Sequence, residues 1–208
     1  MEVLSSLRSN VIGISGVAGS GKDTFYKLLL EHCNARNIKC ARFSLADNLK
    51  KDLKPFCVSN YKINPLNCTR NEKDTLRPLM VFHGAAMRRI SNGRHWINKS
   101  HKEMSNKKYE NHLKVITDIR YNQYDKDEVH WVRKELGGVL VHIGQFGEFK
   151  NSKTGKLEKD FLFPANLYEE VYDPQISKLA DYNISWKTVS DVIALSPHIR
   201  KFMGWMRE

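Results

Sequence analysis

The chain has 208 residues, enough for one compact domain with its own core, and 41% of them are hydrophobic against 27% charged, which excludes wholesale disorder. Lys and Arg outnumber Asp and Glu by 34 to 23, a net charge of +11, so the surface should draw anions; phosphorylated small molecules and nucleic acid both qualify. No apolar run approaches the roughly 20 residues of a membrane span, no signal peptide is legible, and Cys33, Cys40, Cys57 and Cys68 form neither zinc-type CxxC pairs nor a secreted disulfide pattern. Reduced thiols, a cytoplasmic setting and no membrane partner are therefore expected.

After a polar leader, residues 10–15 (NVIGIS) make a short apolar run, and Phe25, Leu28, Leu29 and His32 then recur at helical spacing, which predicts a strand followed by a helix. Residues 38–43 (IKCARF) predict a second strand, and 45–56 a helix that Pro55 helps to end. Residues 60–70, with Pro65 and several Asn, read as loop. A long helix is expected over 72–92, with Leu76, Met80, Phe82, His83, Met87 and Ile90 on a broad apolar face, and another near 95–104. Residues 113–117 (LKVIT) predict a buried strand closed by Asp118; 125–136 predict a helix stopped by Gly137-Gly138; 139–143 (VLVHI) predict the next strand. The lysine-rich, glycine-punctuated stretch 144–164 has no periodicity and reads as a mobile loop or lid. A last strand is expected over 182–186, with Thr188 or Ser190 capping a C-terminal helix. Apolar strands alternating with helices predict an α/β fold in which a five-stranded parallel sheet is covered on both faces, three layers in a single domain spanning 1–208.

The chemistry begins at residues 16–24, GVAGSGKDT, which fit GxxxxGK between a strand and a helix, the context that motif requires. Gly16, Gly19 and Gly21, with Ser20 among them, let backbone N–H groups converge on a polyphosphate, the helix N-terminus adds partial positive charge, and Lys22 can reach the β and γ phosphates. Asp23 stands where a Ser or Thr hydroxyl usually meets magnesium. Thr24 offers a hydroxyl one residue later, or Asp23 holds the ion through water; both stay open.

Together with three later segments, GSGKDT resembles the bacteriophage deoxynucleoside monophosphate kinases, a branch of the P-loop kinase fold. Residues 44–50 (SLADNLK) are similar to that family's segment after its second strand, although Asn48 replaces a usual proline. Arg77, Gly84, Arg89 and Trp96 follow its helix-pair spacing, and residues 117–121 (TDIRY), then Glu128 and Leu136-Gly137-Gly138, match its later motif with a longer link at 122–127. The resemblance covers residues 12–143, about two thirds of the chain. It implies ATP-dependent phosphorylation of a deoxynucleoside monophosphate with Mg2+, a helical acceptor-binding region at about 60–112, a lid at about 144–164, and a host cytoplasm if the source is viral.

Transfer of a γ-phosphoryl group is mostly positioning and charge neutralisation, so the site needs cations at donor and acceptor. Lys22 serves the donor; Asp118, at a strand end, is expected to orient magnesium or else to cap a helix; Arg120 is expected to reach the acceptor phosphate or the transferring group. Adjacent helix residues diverge by about 100°, so only one of Arg88 and Arg89 should enter the site, and the family spacing favours Arg89, with Arg88 solvated. Asp47 and Lys50 share a helix face near the cleft, where Asp47 either contacts the acceptor, acts as a base or simply favours the helix dipole. Arg77 completes the implied acceptor set, and Trp96 either stacks on the acceptor base or fills the helix-pair core. Lys150, Lys153, Lys156 and Lys159 are lid cations or a solvated face. Residues 88–108 carry seven Lys or Arg against one acid, Glu103, more than one monophosphate needs. Two other readings therefore stand beside the first: a kinase for a hydroxyl on DNA, and a nucleic-acid-binding protein that holds nucleotide without turnover. A homodimer stays open.

Overall fold

A computed structural model describes residues 2–150, 157–189 and 191–208. The elements run α1 (Glu2–Ser5), β1 (Val11–Ser15), α2 (Lys22–Asn34), β2 (Cys40–Phe43), α3 (Leu45–Tyr61), α4 (Arg70–Ile90), α5 (Arg94–Met104), β3 (Leu113–Ile119) and α6 (Glu128–His130), which continues as a π turn over Trp131–Glu135. There follow β4 (Val139–Lys150), β5 (Leu157–Phe161), α7 (Leu167–Leu179), β6 (Tyr182–Lys187) and α8 (Ser196–Trp205). No helix among the described residues is long and apolar enough to cross a membrane.

Parallel strands lie side by side in the order β2, β3, β1, β4, β6. Alternation along each strand divides the core between two faces. Ile12, Ile14, Val115, Val141 and Ile143 meet Phe25, Leu29 and Phe202 of α2 and α8, while Val11, Ile116 and Leu140 meet Trp96, Val132 and Ile176 on the other side. Gly13 also faces that second side, where an added Cβ would fall 2.9 Å from Val132. The sheet is thus mostly parallel and flanked by helices, as expected, with all five expected strands present.

Two expectations are corrected. The sheet has six strands rather than five and is mixed, because β4 runs on past Ile143 and folds back antiparallel into β5, pairing Phe146 with Phe161 and Lys150 with Leu157. This hairpin occupies the stretch that reads as an aperiodic lid; its residues alternate too weakly to signal a strand, and backbone pairing supplies the order. Of the lid cations, Lys153, Lys156 and the side chain of Lys150 lie outside the described residues, as does Ser190. Lys159 sits 4.4 Å from the Phe146 ring centre. The second correction is Pro55, which lies inside α3 rather than ending it, as Pro78 lies inside α4. Both prolines are exposed, and burial of Leu53, Cys57 and Leu76 between the two helices offsets a local cost of about 3 kcal/mol for an interior proline.

Arg88 is a further correction. Rather than being solvated, it is 5% exposed, donates to Asp127 (2.8 and 3.0 Å) and Glu128 (2.9 Å), and stacks 3.7 Å from the Tyr121 ring centre. Removing one partner of a buried ion pair leaves uncompensated charge. Arg88→Met should therefore lower the unfolding free energy in denaturant titrations by about 3–5 kcal/mol, whereas Arg89→Ala, on the exposed neighbouring face, should change it by no more than about 0.5 kcal/mol.

Candidate functional site

β1 is the central strand, with β3 on one side and β4 on the other, and its carboxyl end opens at the reversal of strand order where open α/β sheets take ligands. The glycine loop leaves that end. Gly16, Gly19 and Gly21 have φ of 132°, 82° and 91°, a region that favours glycine. A Cβ on Gly16 would lie 2.3 Å from the Ile143 carbonyl oxygen, so no side chain fits there. Trp186 of β6 braces the loop from behind, its indole N–H donating to the Ser20 carbonyl at 3.0 Å. Helix α2 starts at Lys22 with Gly21 as its N-cap and no side-chain cap, which leaves first-turn N–H groups for an outside acceptor. The Ser20 hydroxyl is fully buried and has no hydrogen-bond partner. An unpartnered hydroxyl within a left-handed glycine loop at an uncapped helix start fits an anion with several oxygens.

Lys22 is 8% exposed, and its ammonium donates to the carbonyls of Gly16 (2.6 Å) and Val17 (2.7 Å). Burial, and then the positive Arg120 guanidinium, hold its pKa down at about 8, against the opposing pull of Glu169, Asp173 and Asp118. Lys22 and Arg120 lie at one end of the sheet, linked through Glu169, which accepts from Arg120 and from the Ala18 N–H of the loop. Arg120 is fixed at both ends: buried Glu128 accepts from its backbone N–H (2.7 Å) and that of Tyr121 (3.0 Å), and its guanidinium donates to Glu169 (2.9 Å).

Asp118 takes up the helix-capping alternative. Its carboxylate accepts from the backbone N–H groups of Leu45 (2.9 Å) and Ala46 (2.8 Å) and from the Ser44 hydroxyl (2.9 Å), so it anchors the start of α3. Ser44 in turn caps α3 by accepting from the Asp47 N–H. Asp23 is 92% exposed on its side chain and 3.9 Å from Arg42, and Thr24 is half-buried. Among the described residues no three His, Cys, Asp or Glu side chains form a metal cluster.

The Asp47 carboxylate accepts from Arg42 (2.7 Å) and Lys50 (3.2 Å). Burial works against its ionised form, but these two cations outweigh it and hold the carboxyl below its ordinary range. Such a group is a poor base near neutral pH. Trp96 fills the helix-pair core: it is 4% exposed and its indole donates to the Gly84 carbonyl, so stacking on a ligand is corrected to packing. Arg77 pairs with Asp74 one turn earlier on an exposed face of α4, and Arg89 is exposed beside buried Arg88. The basic run at 88–108 is partly neutralised, since Arg88 meets Asp127 and Glu128, Arg94 meets Glu135, and Lys99 meets Asp52. Arg89, Lys102, Lys107 and Lys108 remain exposed.

Two groups at the cleft carry no expectation from sequence. Glu169 of α7 contacts both the glycine loop and Arg120, and the Asn166-to-Glu169 spacing, a helix-start signature, is the signal that could have pointed to it. His142 of β4 lies 3.1 Å from both Asp173 oxygens, in a cavity of about 370 Å3 bounded by Val17, Gly144, Phe161 and Ile184.

No protein-family model matches the chain, and no curated protein matches it.

A phosphate bound at the glycine loop favours charged Lys22, so binding must take up a proton above the free-state pKa of about 8. The dissociation constant for tripolyphosphate, measured by calorimetry, should stay level from about pH 7 to about 8 and then weaken by up to about tenfold per pH unit. Lys22→Ala should bind more weakly and lose that slope.

Proposed function

We propose that the chain is a P-loop kinase that transfers the γ-phosphoryl group of ATP to a deoxynucleoside monophosphate. The observation that carries this reading is the left-handed glycine loop on the carboxyl end of the central strand, with the Lys22 ammonium on its carbonyls and Glu169 joining its Ala18 N–H to Arg120. The resemblance of the segments around 16–24, 44–50 and 117–128 to the phage nucleotide kinases supplies the substrate class.

In this mechanism the loop amides and the first turn of α2 bind the donor phosphates, and the Lys22 ammonium exchanges the Gly16 and Val17 carbonyls for phosphate oxygens. Arg120, with its guanidinium half-exposed beside Lys22, faces the group in transfer or the acceptor phosphate. An oxygen of the acceptor monophosphate attacks the γ-phosphorus, the bond to the β-γ bridging oxygen breaks, and ADP leaves with that electron pair. A magnesium ion bound with the donor would supply charge neutralisation there, and Asp23 and Thr24, in the first turn of α2, are the residues that would hold it. Leu162, just after β5, is the nearest group to a Cβ placed on Gly19, at 3.7 Å.

An ionised phosphate oxygen needs no strong base. That suits a site where Asp118 is engaged by three donors and Asp47 by two cations. A hydroxyl acceptor on DNA gains most from a free carboxylate, and the partial neutralisation of the basic run also weakens the nucleic-acid readings.

The deciding assay follows ADP release with Mg2+ and ATP against a panel of deoxynucleoside monophosphates, nucleosides and DNA. Turnover with one or more monophosphates is expected, reduced at least about a hundredfold in folded Lys22→Ala. Turnover with DNA alone would move the acceptor to a polymer hydroxyl, and none with any acceptor would overturn the kinase reading.

A further inference from the structure

We propose that Glu169 is a positioning residue, a buried carboxylate that clamps the glycine loop to Arg120 and aims the guanidinium at the phosphoryl group in transfer. This rests on the phosphotransferase reading and goes beyond it, since Glu169 belongs to none of the motifs that support that reading.

The geometry is that of a three-way joint. Oε2 accepts from the Ala18 N–H of the glycine loop (3.1 Å) and from the Ala165 N–H (3.0 Å), while Oε1 accepts from Arg120 Nη1 (2.9 Å). Glu169 is itself held in the first turn of α7, its N–H donating to Asn166 Oδ1 at 3.0 Å. It is 5% exposed, whereas its neighbour Glu170 is open to solvent. Residues 162–166 connect β5 to α7, so the same carboxylate also ties the returning limb of the hairpin to the loop.

Two backbone amides would be enough for a carboxylate with a purely structural role. The third bond reaches a guanidinium whose side chain is 40% exposed and which has no second hydrogen bond among the described residues. Arginine offers five N–H donors in one plane, so a carboxylate on one side fixes the plane and leaves the opposite donors for a phosphoryl group. Ala18, which Glu169 holds, follows Val17, whose carbonyl accepts from the Lys22 ammonium, which puts the clamp beside that lysine. A long side chain with many rotamers is thereby oriented before substrate arrives.

The test uses Glu169→Gln, Arg120→Met and the double variant, with calorimetric binding of ADP and of ADP with aluminium fluoride, a stand-in for the group in transfer, both with Mg2+. Each single substitution should weaken the aluminium fluoride complex by about tenfold to a hundredfold and ADP alone by less than about threefold, and the double should match Arg120→Met. Equal losses for both ligands, independent losses that multiply in the double, or wild-type behaviour of Glu169→Gln would overturn the clamp. Should Glu169→Gln fail to fold, Glu169→Asp, one methylene too short to span loop and guanidinium, carries the same expectations. Wild-type protein that binds no ADP, or binds it equally well as Lys22→Ala, would instead bring down the phosphotransferase reading, and the clamp with it.

Discussion

A guanidinium withdrawn from water must be met by carboxylates, and the placement of the cleft depends on how Arg88 is met. Asp127 and Glu128 both bond to it, one cation against two acids in a space closed to solvent. Burial, with Asp127 and Asp118 close by, pushes the Glu128 carboxyl up to about 8 although Arg88 and the Arg120 amide favour its charged form. The second Glu128 oxygen fixes the backbone at Arg120 and Tyr121. Asp127 gathers the N–H groups of Gln123, Tyr124 and Glu128, so the long link at 122–127 is folded around the same carboxylate that holds α4. The end of β3 and the backbone of Arg120 are therefore set by one buried network.

The acids around Lys22 follow a related logic. Each also holds a structural element: Asp118 receives the first turn of α3, Glu169 joins α7 to the glycine loop, and Asp173 pairs with His142 of β4. Their negative charge offsets Arg120, so a buried ammonium and a guanidinium coexist at one strand end. The bonds that position the cleft are thus the same ones that attach its helices to the sheet, and changes at these acids should couple stability to anion binding.

Much of the fold was legible because its signals are local. Strands such as VLVHI are continuous apolar runs, as strands covered on both faces must be, and the glycine loop carries its own backbone chemistry. The antiparallel pairing of β4 with β5 was not legible, since alternation in a lysine-rich stretch is weak and a strand's partner is not written in its own residues. Pro55 misled for a related reason: local propensity opposes helix there, and packing of α3 on α4 overrides it. The choice between Arg88 and Arg89 turned on partners 39 and 40 residues away, which helical spacing cannot reveal. The same distance blindness made residues 88–108 look like a cation cluster, when acids from other elements neutralise part of it.

By itself the amino-acid sequence determined the α/β alternation, the glycine loop with Lys22, and the presence of charged groups at the end of β3, because each is written in contiguous residues. Only the tertiary structure decided what those charges do. Asp118 holds α3, Arg88 is withdrawn from solvent while Arg120 stays at the cleft, and Glu169 arrives there from a helix some 150 residues beyond the loop it touches. A charge acquires its role from the partner that desolvates or pairs it, and that partner is chosen by folding rather than by neighbourhood in the chain.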